Sequence, residues 1–174
     1  LGIVGIALGT AILPMLARHL QSGDQAGAHK LQENAVEMAT LLTLPAACAL
    51  AVCAPAFVTA FFVGGKMTAT DGAIMAAIVT ALVCGLPAYV LVKVLQPAFF
   101  SREDTRTPVW IAAAALLINI AINFAVVPRY GIVGLAGATA FTSTLNVATL
   151  YGVLHIRGWF RIGWPLAARV LRQF

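Results

Sequence analysis

Charge is what this 174-residue chain lacks most: Asp, Glu, Lys and Arg make up 10% of it, where soluble domains carry about a quarter. Hydrophobic residues make up 61%. So little polar surface cannot face water all round, and lipid is the solvent that resolves the imbalance. Acids are scarcer still, six against eleven bases, which leaves a net charge of +5. In a soluble protein that balance points to nucleic acid. Tracking a nucleic-acid backbone needs a basic face, though, and these bases sit between long apolar runs. No nucleic-acid partner is expected.

Catalytic residue types are scarce as well. The three histidines, His19, His29 and His155, sit at loop edges, and no nucleophile, base and orienter come together. The Gly-x-x-Gly pairs lie in apolar stretches without phosphate-binding context, so an ATPase reading fails. The three cysteines, Cys48, Cys53 and Cys84, lack metal-ligand spacing and read as small buried hydrophobes. Neither an enzyme nor a metal or other cofactor is expected.

What the chain has in quantity is uncharged apolar sequence. A spanning helix needs about 20 such residues to cross roughly 30 Å of hydrocarbon. Runs at about 38–63, 72–98, 107–128 and 131–155 qualify, the second ending in a stretch that carries Lys93. A shorter run at 1–17 reads as truncated, and another starts at 164–174, so both ends read as cuts through a longer protein. None of the runs alternates apolar and polar residues as membrane barrel strands do. The expected fold is an all-α polytopic transmembrane helix bundle.

The connections are short. The longest, 18–37, holds the turn signal Ser22-Gly23-Asp24 and then a stretch that reads as a short amphipathic helix. The others centre on Gly64-Gly65-Lys66, on the SREDTRTP segment at 101–108, on Pro128-Arg129-Tyr130-Gly131, and on residues 155–164. With strict alternation, the first, third and fifth share a side. They hold Arg18, Lys30, Arg102, Arg106, Arg157 and Arg161, against Lys66 and Arg129 on the other. The positive-inside rule then places the richer side in the cytoplasm. An internal echo accompanies this pattern: GIVGIALGTA at 2–11 resembles GIVGLAGATA at 131–140. Transporters are commonly built from repeats, and small residues let helices approach closely in lipid.

Lys93 is the most informative single residue. An ammonium within an apolar run faces either a cavity, as a cation on the path of an anionic headgroup, or the interface by snorkelling. Gln96 lies beside it, and Pro97 frees a backbone carbonyl one turn earlier. Asn119 and Asn123 are four apart, hence on one helical face. Amides facing bare lipid are costly, so they are expected to point inward, where Thr139 and Asn146 on the next helix come within reach. Interhelical hydrogen bonding is the plainer reading of this set. The sharper one is a cation or polar-headgroup site, which puts Asn119 and Asn123 on the substrate path beside Lys93 and Gln96; a cation there needs a carboxylate from elsewhere. In SREDTRTP, Arg102, Asp104 and Arg106 form either a salt-bridged connector, with Thr107-Pro108 starting the next helix, or a latch on a gate. Pro45, Pro55, Pro87 and Pro97 interrupt the runs, as broken helices do in transporters.

Two stretches resemble one family. GIVGIALGTAILPML at 2–16 is similar to the pattern G-x-x-G-x-A-L-x-T-x-x-L-P of the MurJ/MviN family of lipid II flippases. LVKVLQPAFFSREDTRTPV at 91–109 resembles that family's K-V-L-x-P-x-F-[YF]-[SA]-R-x-D-T-[RK]-T-P segment. Leu44-Pro45-Ala46 and Gly131 with Gly134 fit as well, while Gln96 and Ala17 depart from the usual residues. The resemblance implies part of a fourteen-helix transporter with a MurJ-like, MATE-like exporter fold, roughly helices eight to twelve. It places the protein in the multidrug/oligosaccharidyl-lipid/polysaccharide exporter superfamily. The implied partners are lipid II and membrane lipids in the bacterial inner membrane, with the coupling ion unknown. The family's cavity arginines fall before Leu1, and its lipid-tail groove falls after Phe174. Two alternatives stand beside this reading: a polysaccharide or multidrug exporter of the same superfamily, and a membrane-embedded glycosyl polymerase. The polymerase needs a large outside loop bearing acids or His, and none is present.

Overall fold

A computed structural model of the chain describes residues 2–62 and 68–159. All regular structure in it is helical: α1 (Gly2–Gln21), α2 (Gln25–Phe62), α3 (Ala69–Cys84), α4 (Leu86–Phe100) and α5 (Arg106–Ile156). In lipid the backbone has no water to bond, so apolar segments satisfy their N–H and C=O groups within a helix. Among the described residues three stretches are long and apolar enough to cross a membrane: Gln25–Phe62, Thr70–Phe100 and Arg106–Ile156. The start at 164–174 of a further run, with Lys66 and Arg161, lies outside the described residues.

The helices differ from the sequence expectation in two places, each for a local reason. The connection at 18–37 shrinks to a turn at Ser22-Gly23-Asp24, where Gly23 takes a positive φ of 77°. The Asp24 carboxylate accepts the Gly27 N–H at 2.8 Å and so starts α2. The expected short amphipathic helix is simply the first part of α2, whose 38 residues reach about 57 Å, well beyond the hydrocarbon.

The apolar run at 72–98 is likewise not one rod. A turn at Gly85 separates α3 from α4, and Pro87 sits in the first turn of α4. Proline has no N–H to offer the carbonyl four residues back, and its ring crowds that carbonyl. The Gly85 N–H therefore closes on Leu82 at 3.0 Å. An added Cβ at Gly85 would lie 3.0 Å from Ala140, so α5 seats close against this break.

Helix α5 is two antiparallel arms. Gly131 lies between them at φ 60° and ψ −145°, a conformation close to one that only glycine takes readily. An added Cβ there would meet nothing within 4 Å, so the requirement is conformational. The register follows from side-chain pairs: Asn119 faces Thr142 and Asp104 faces Arg157, which puts the reversal at Tyr130–Gly131.

Helix α4 is the centre, packed against α1, α2 and α5. Its Val94, Ala98 and Phe99 are fully buried with Leu16, Ala39 and Leu154. Leu20, Leu31 and Trp159 pack against the same cluster, which brings the turns at 22–24, 101–105 and 157–159 to one end of the bundle. That end carries Arg18, Lys30, Arg102, Arg106 and Arg157. The first arm of α5 is the opposite of α4: Trp110, Leu117 and Phe124 are 74%, 68% and 81% exposed. The expected burial of the cysteines does not hold. Cys48, Cys53 and Cys84 are all exposed, because in lipid an apolar outward face carries no penalty and a thiol need not be packed inside protein.

Candidate functional site: an open groove and a tied basic end

The sequence candidates separate into three places. The first is a groove of about 260 Å³ between α1 and α4, lined by Gly9, Thr10, Leu13, Lys93, Gln96 and Phe100. Lys93 is exposed and Gln96 half-buried. Among the described residues no acid pairs with the Lys93 ammonium. The groove follows from two residues. Pro97 has no N–H to give the Lys93 carbonyl, so that oxygen loses its usual helical partner. Gly9 then packs against it: an added Cβ would stand 2.8 Å from the Lys93 oxygen. Helices α1 and α4 approach there at backbone distance, and the Lys93 side chain is left at the groove rather than in the contact.

The second place is the seam between the arms of α5. Asn119 donates through Nδ2 to the Thr142 hydroxyl at 3.0 Å, and Asn123 donates to Asn119 Oδ1 at 2.8 Å. Thr142 in turn donates to the Ala138 carbonyl at 2.6 Å. The structure thus brings Asn119 and Asn123 together but gives them Thr142 as cross-arm partner. Thr139 donates to its own helix, at Leu135, and Asn146 lines the same 270 Å³ cleft without a hydrogen bond to either amide. Thr142 was legible in the sequence, since it shares one helical face with Thr139 and Asn146. The oxygens Asn123 Oδ1 and Asn146 Oδ1 are buried and accept nothing from the described residues. Among the described residues no carboxylate lines this cleft.

The third place is the basic end. Asp104 is the hub. It accepts the Thr107 N–H at 3.0 Å and the Thr107 hydroxyl at 2.6 Å, which caps the start of α5. It also pairs with Arg157 across 53 residues of sequence. The Thr107 hydroxyl first, then its N–H and the Arg157 guanidinium, lower the Asp104 carboxyl from 3.8 to about 2. Arg157 reaches Thr107 Oγ1 as well, at 3.2 Å. Arg102 folds back to donate to the Ala98 carbonyl at 2.9 Å, and partial burial lowers its pKa. Arg106 is exposed and stands apart.

Trp159 is the member of this cluster that sequence reasoning missed. The Arg102 and Arg157 guanidiniums lie 5.0 and 4.8 Å from its ring centre, and Phe99 meets it edge-on at 6.0 Å. Gly158, at φ 68°, turns the chain so that the Trp159 N–H closes on the Leu154 carbonyl at 3.0 Å. The signal available in sequence was the Arg-Gly-Trp triplet just after an apolar run: a cation, a turn residue and an interfacial aromatic.

Comparison with known proteins gives one consistent result. A family model described as "Lipid II flippase MurJ" matches residues 1–168. A protein from Rhizobium tropici named "Probable lipid II flippase MurJ" is 37% identical over 97% of this chain and 32% of its own length. Proteins of the same name from Rhizobium meliloti and Vibrio cholerae are also 37% identical, over 99% and 93% of this chain and 32% and 31% of theirs. The chain spans about a third of the length of these curated relatives. A solved structure titled "Lipid II flippase MurJ, inward closed conformation" superposes with a TM-score of 0.76 at 24% identity, over 92% of this chain and 33% of that one. At that identity the superposition speaks for the fold.

Proposed function

We propose a function from one premise: the chain belongs to the lipid II flippase MurJ family. As part of a longer transporter, it takes part in moving lipid II, the undecaprenyl-pyrophosphate-linked peptidoglycan precursor, across the bacterial inner membrane by alternating access. The work is transport, with no bond made or broken. Apart from the family match itself, one observation carries the reading. An exposed ammonium, Lys93, stands in a groove between two apolar helices with no acid among the described residues to neutralise it. A cation kept bare at that cost in lipid suits an anionic headgroup passing by. Gln96 lies on the same path.

In this reading the seam of Asn119, Asn123 and Thr142 holds the arms of α5 together. A coupling cation there would need a carboxylate supplied by another part of the transporter. Arg102, Asp104 and Arg106 stand at the cytoplasmic mouth. The surrounding membrane lipids cover the apolar outward faces.

The test is genetic. The full-length protein should sustain growth of a bacterium depleted of its own lipid II flippase, and Lys93→Ala should impair that growth at normal expression. Unimpaired growth with Lys93→Ala would reduce Lys93 to a snorkelling residue. Failure of the unmutated protein to rescue would favour a polysaccharide or multidrug exporter. Maleimide labelling of Ser101→Cys should proceed from the cytoplasmic side, and labelling from outside would reverse the orientation.

A further inference from the structure

We propose that Trp159 is a positioning residue: it holds the Arg102 and Arg157 guanidiniums on its ring, so that the α4–α5 loop and the end of α5 form a staple that stays closed while the protein works. The proposal rests on the transport reading only for what the motion is; the staple itself stands on geometry.

Three closures meet at this point, and each joins different pieces of chain. The Asp104–Arg157 pair ties the loop after α4 to the end of the second arm of α5. The Arg157–Thr107 bond ties that end to the beginning of the first arm. The Trp159 ring ties both to α4, through Phe99 at its edge and through Arg102, whose own guanidinium is anchored on the Ala98 carbonyl. Any single exposed ion pair contributes little. Here the groups share atoms: Asp104 serves Thr107 and Arg157, Arg157 serves Asp104, Thr107 and Trp159, and Trp159 serves both arginines. Opening any one contact strains the others, which is how a network holds more firmly than its pairs.

A latch that opens by protonation in each cycle would need a group titrating near neutral pH, and none is among the described residues of the cluster. Asp104 is held ionised far below neutral pH by Thr107, so protonation cannot release Arg157. No histidine side chain is among these contacts in the described residues; the His155 ring lies tilted beside Tyr151, one turn back along α5, 6.0 Å between ring centres. Both backbone reversals that shape the cluster are left-handed, Glu103 at φ 60° and Gly158 at φ 68°, and they aim the loop after α4 and the end of α5 at one another. The consequence is mechanical. Helix α4, which carries Lys93, and both arms of α5 travel as one body. The groove between α1 and α4 is then a boundary at which relative motion can be expressed.

The experiment uses the full-length protein with Cys48, Cys53 and Cys84 replaced by Ala, since all three are exposed and would take label. Spin labels go on Thr105→Cys and Ile156→Cys, both exposed and on opposite sides of the staple. The protein is reconstituted in phosphatidylethanolamine/phosphatidylglycerol vesicles with and without lipid II, and the inter-label distance is read by pulsed electron resonance. One narrow distance, unchanged by lipid II, is expected. Trp159→Leu should raise the open fraction about tenfold, and Trp159→Phe, which keeps an aromatic face, much less. A second distance population in the unmutated background overturns the closed staple. A Trp159→Leu distribution no broader than the parent's overturns the role of Trp159. Lipid II flipping is measured in the same vesicles. If none occurs, the transport reading falls, and the Trp159→Leu comparison still decides the staple.

Discussion

Two cationic regions lie along one helix and its exit, about 13 Å apart if the helix is extended through them, and they are handled in opposite ways. Lys93 is exposed, carries no acid partner among the described residues, and stands at an open groove. Arg102 is folded onto a carbonyl and a tryptophan, beside an arginine that is itself neutralised by Asp104. Under the proposed function, the difference separates working charge, Lys93, from structural charge, Arg102. Charge retained without a partner in lipid costs free energy unless it reaches the interface or a passing anion, whereas charge consumed by partners is part of the fold. Helix α4 carries both because it is the buried centre of the bundle, fixed at one end and flanked by a groove in its middle.

The largest effect expected is at the bare cation. In the full-length protein, Lys93→Glu should lower lipid II flipping in vesicles by about a hundredfold, because reversing a charge near a phosphate is worth several kcal/mol even at an effective dielectric near 20. Lys93→Arg should keep most of the activity. Equal activity for Glu and Lys at this position would erase the distinction between the two regions. Gly9→Ala should come next. The new methyl would stand 2.8 Å from the Lys93 carbonyl oxygen, which is backbone and cannot turn aside. Forcing α1 and α4 apart should cost about 1–3 kcal/mol, as overpacking usually does, read as a lower melting temperature of the solubilised full-length protein. Gly137→Ala is the control, since a Cβ there meets nothing within 4 Å. Equal shifts at both glycines would mean that the α1–α4 contact does not set the groove.

The staple should respond to acid rather than to neutral pH. Asp104 is depressed in the folded state, from 3.8 to about 2. Its contribution is therefore complete above the unfolded value and fades as pH falls from about 4 through about 2. Melting of the parent should drop across that window, and Asp104→Asn should flatten the drop while lowering stability at pH 7 by roughly 0.5–1 kcal/mol, the scale of a partly exposed pair. A drop centred near pH 6 would point to histidine instead.

Much of the frame was readable from run length and loop charge, because hydrocarbon thickness and the absence of water leave the backbone few options. The clustering of the turns at 22–24, 101–105 and 157–159 at one end is the same alternation that the basic residues traced. What escaped reading lies where short-range chemistry decides. Pro87 marked an interruption of its run, but that its one missing N–H separates two helices at Gly85, rather than kinking a single rod, is decided locally. The continuity of α2 through polar residues 25–37 escaped because polarity there marks the bundle's end rather than a loop. The sites split the same way. Lys93 stood out because charge in an apolar run is rare, while Trp159 did not, since an aromatic beside a basic turn is ordinary at a membrane interface. Its role appears only when residues 53 apart meet across the α5 hairpin.

The smallest effect expected is at the seam of α5, and it sharpens the comparison from a third side. Asn119 there is neutral, half-buried and partnered, so it belongs with the structural polar groups rather than with Lys93. Asn119→Leu removes the donor to Thr142 and the acceptor for Asn123 together. Interhelical hydrogen bonds in membranes average about 0.6 kcal/mol, because the separated helices also find partners. The expected loss is therefore roughly 1 kcal/mol in the full-length protein, with flipping little changed. Thr142→Val should cost about the same, and the double variant should cost less than the sum, since both break one bond. Strict additivity would mean that the Asn119–Thr142 bond is not what joins the arms. A loss of flipping much larger than the loss of stability would move this seam out of the scaffold and onto the transport path.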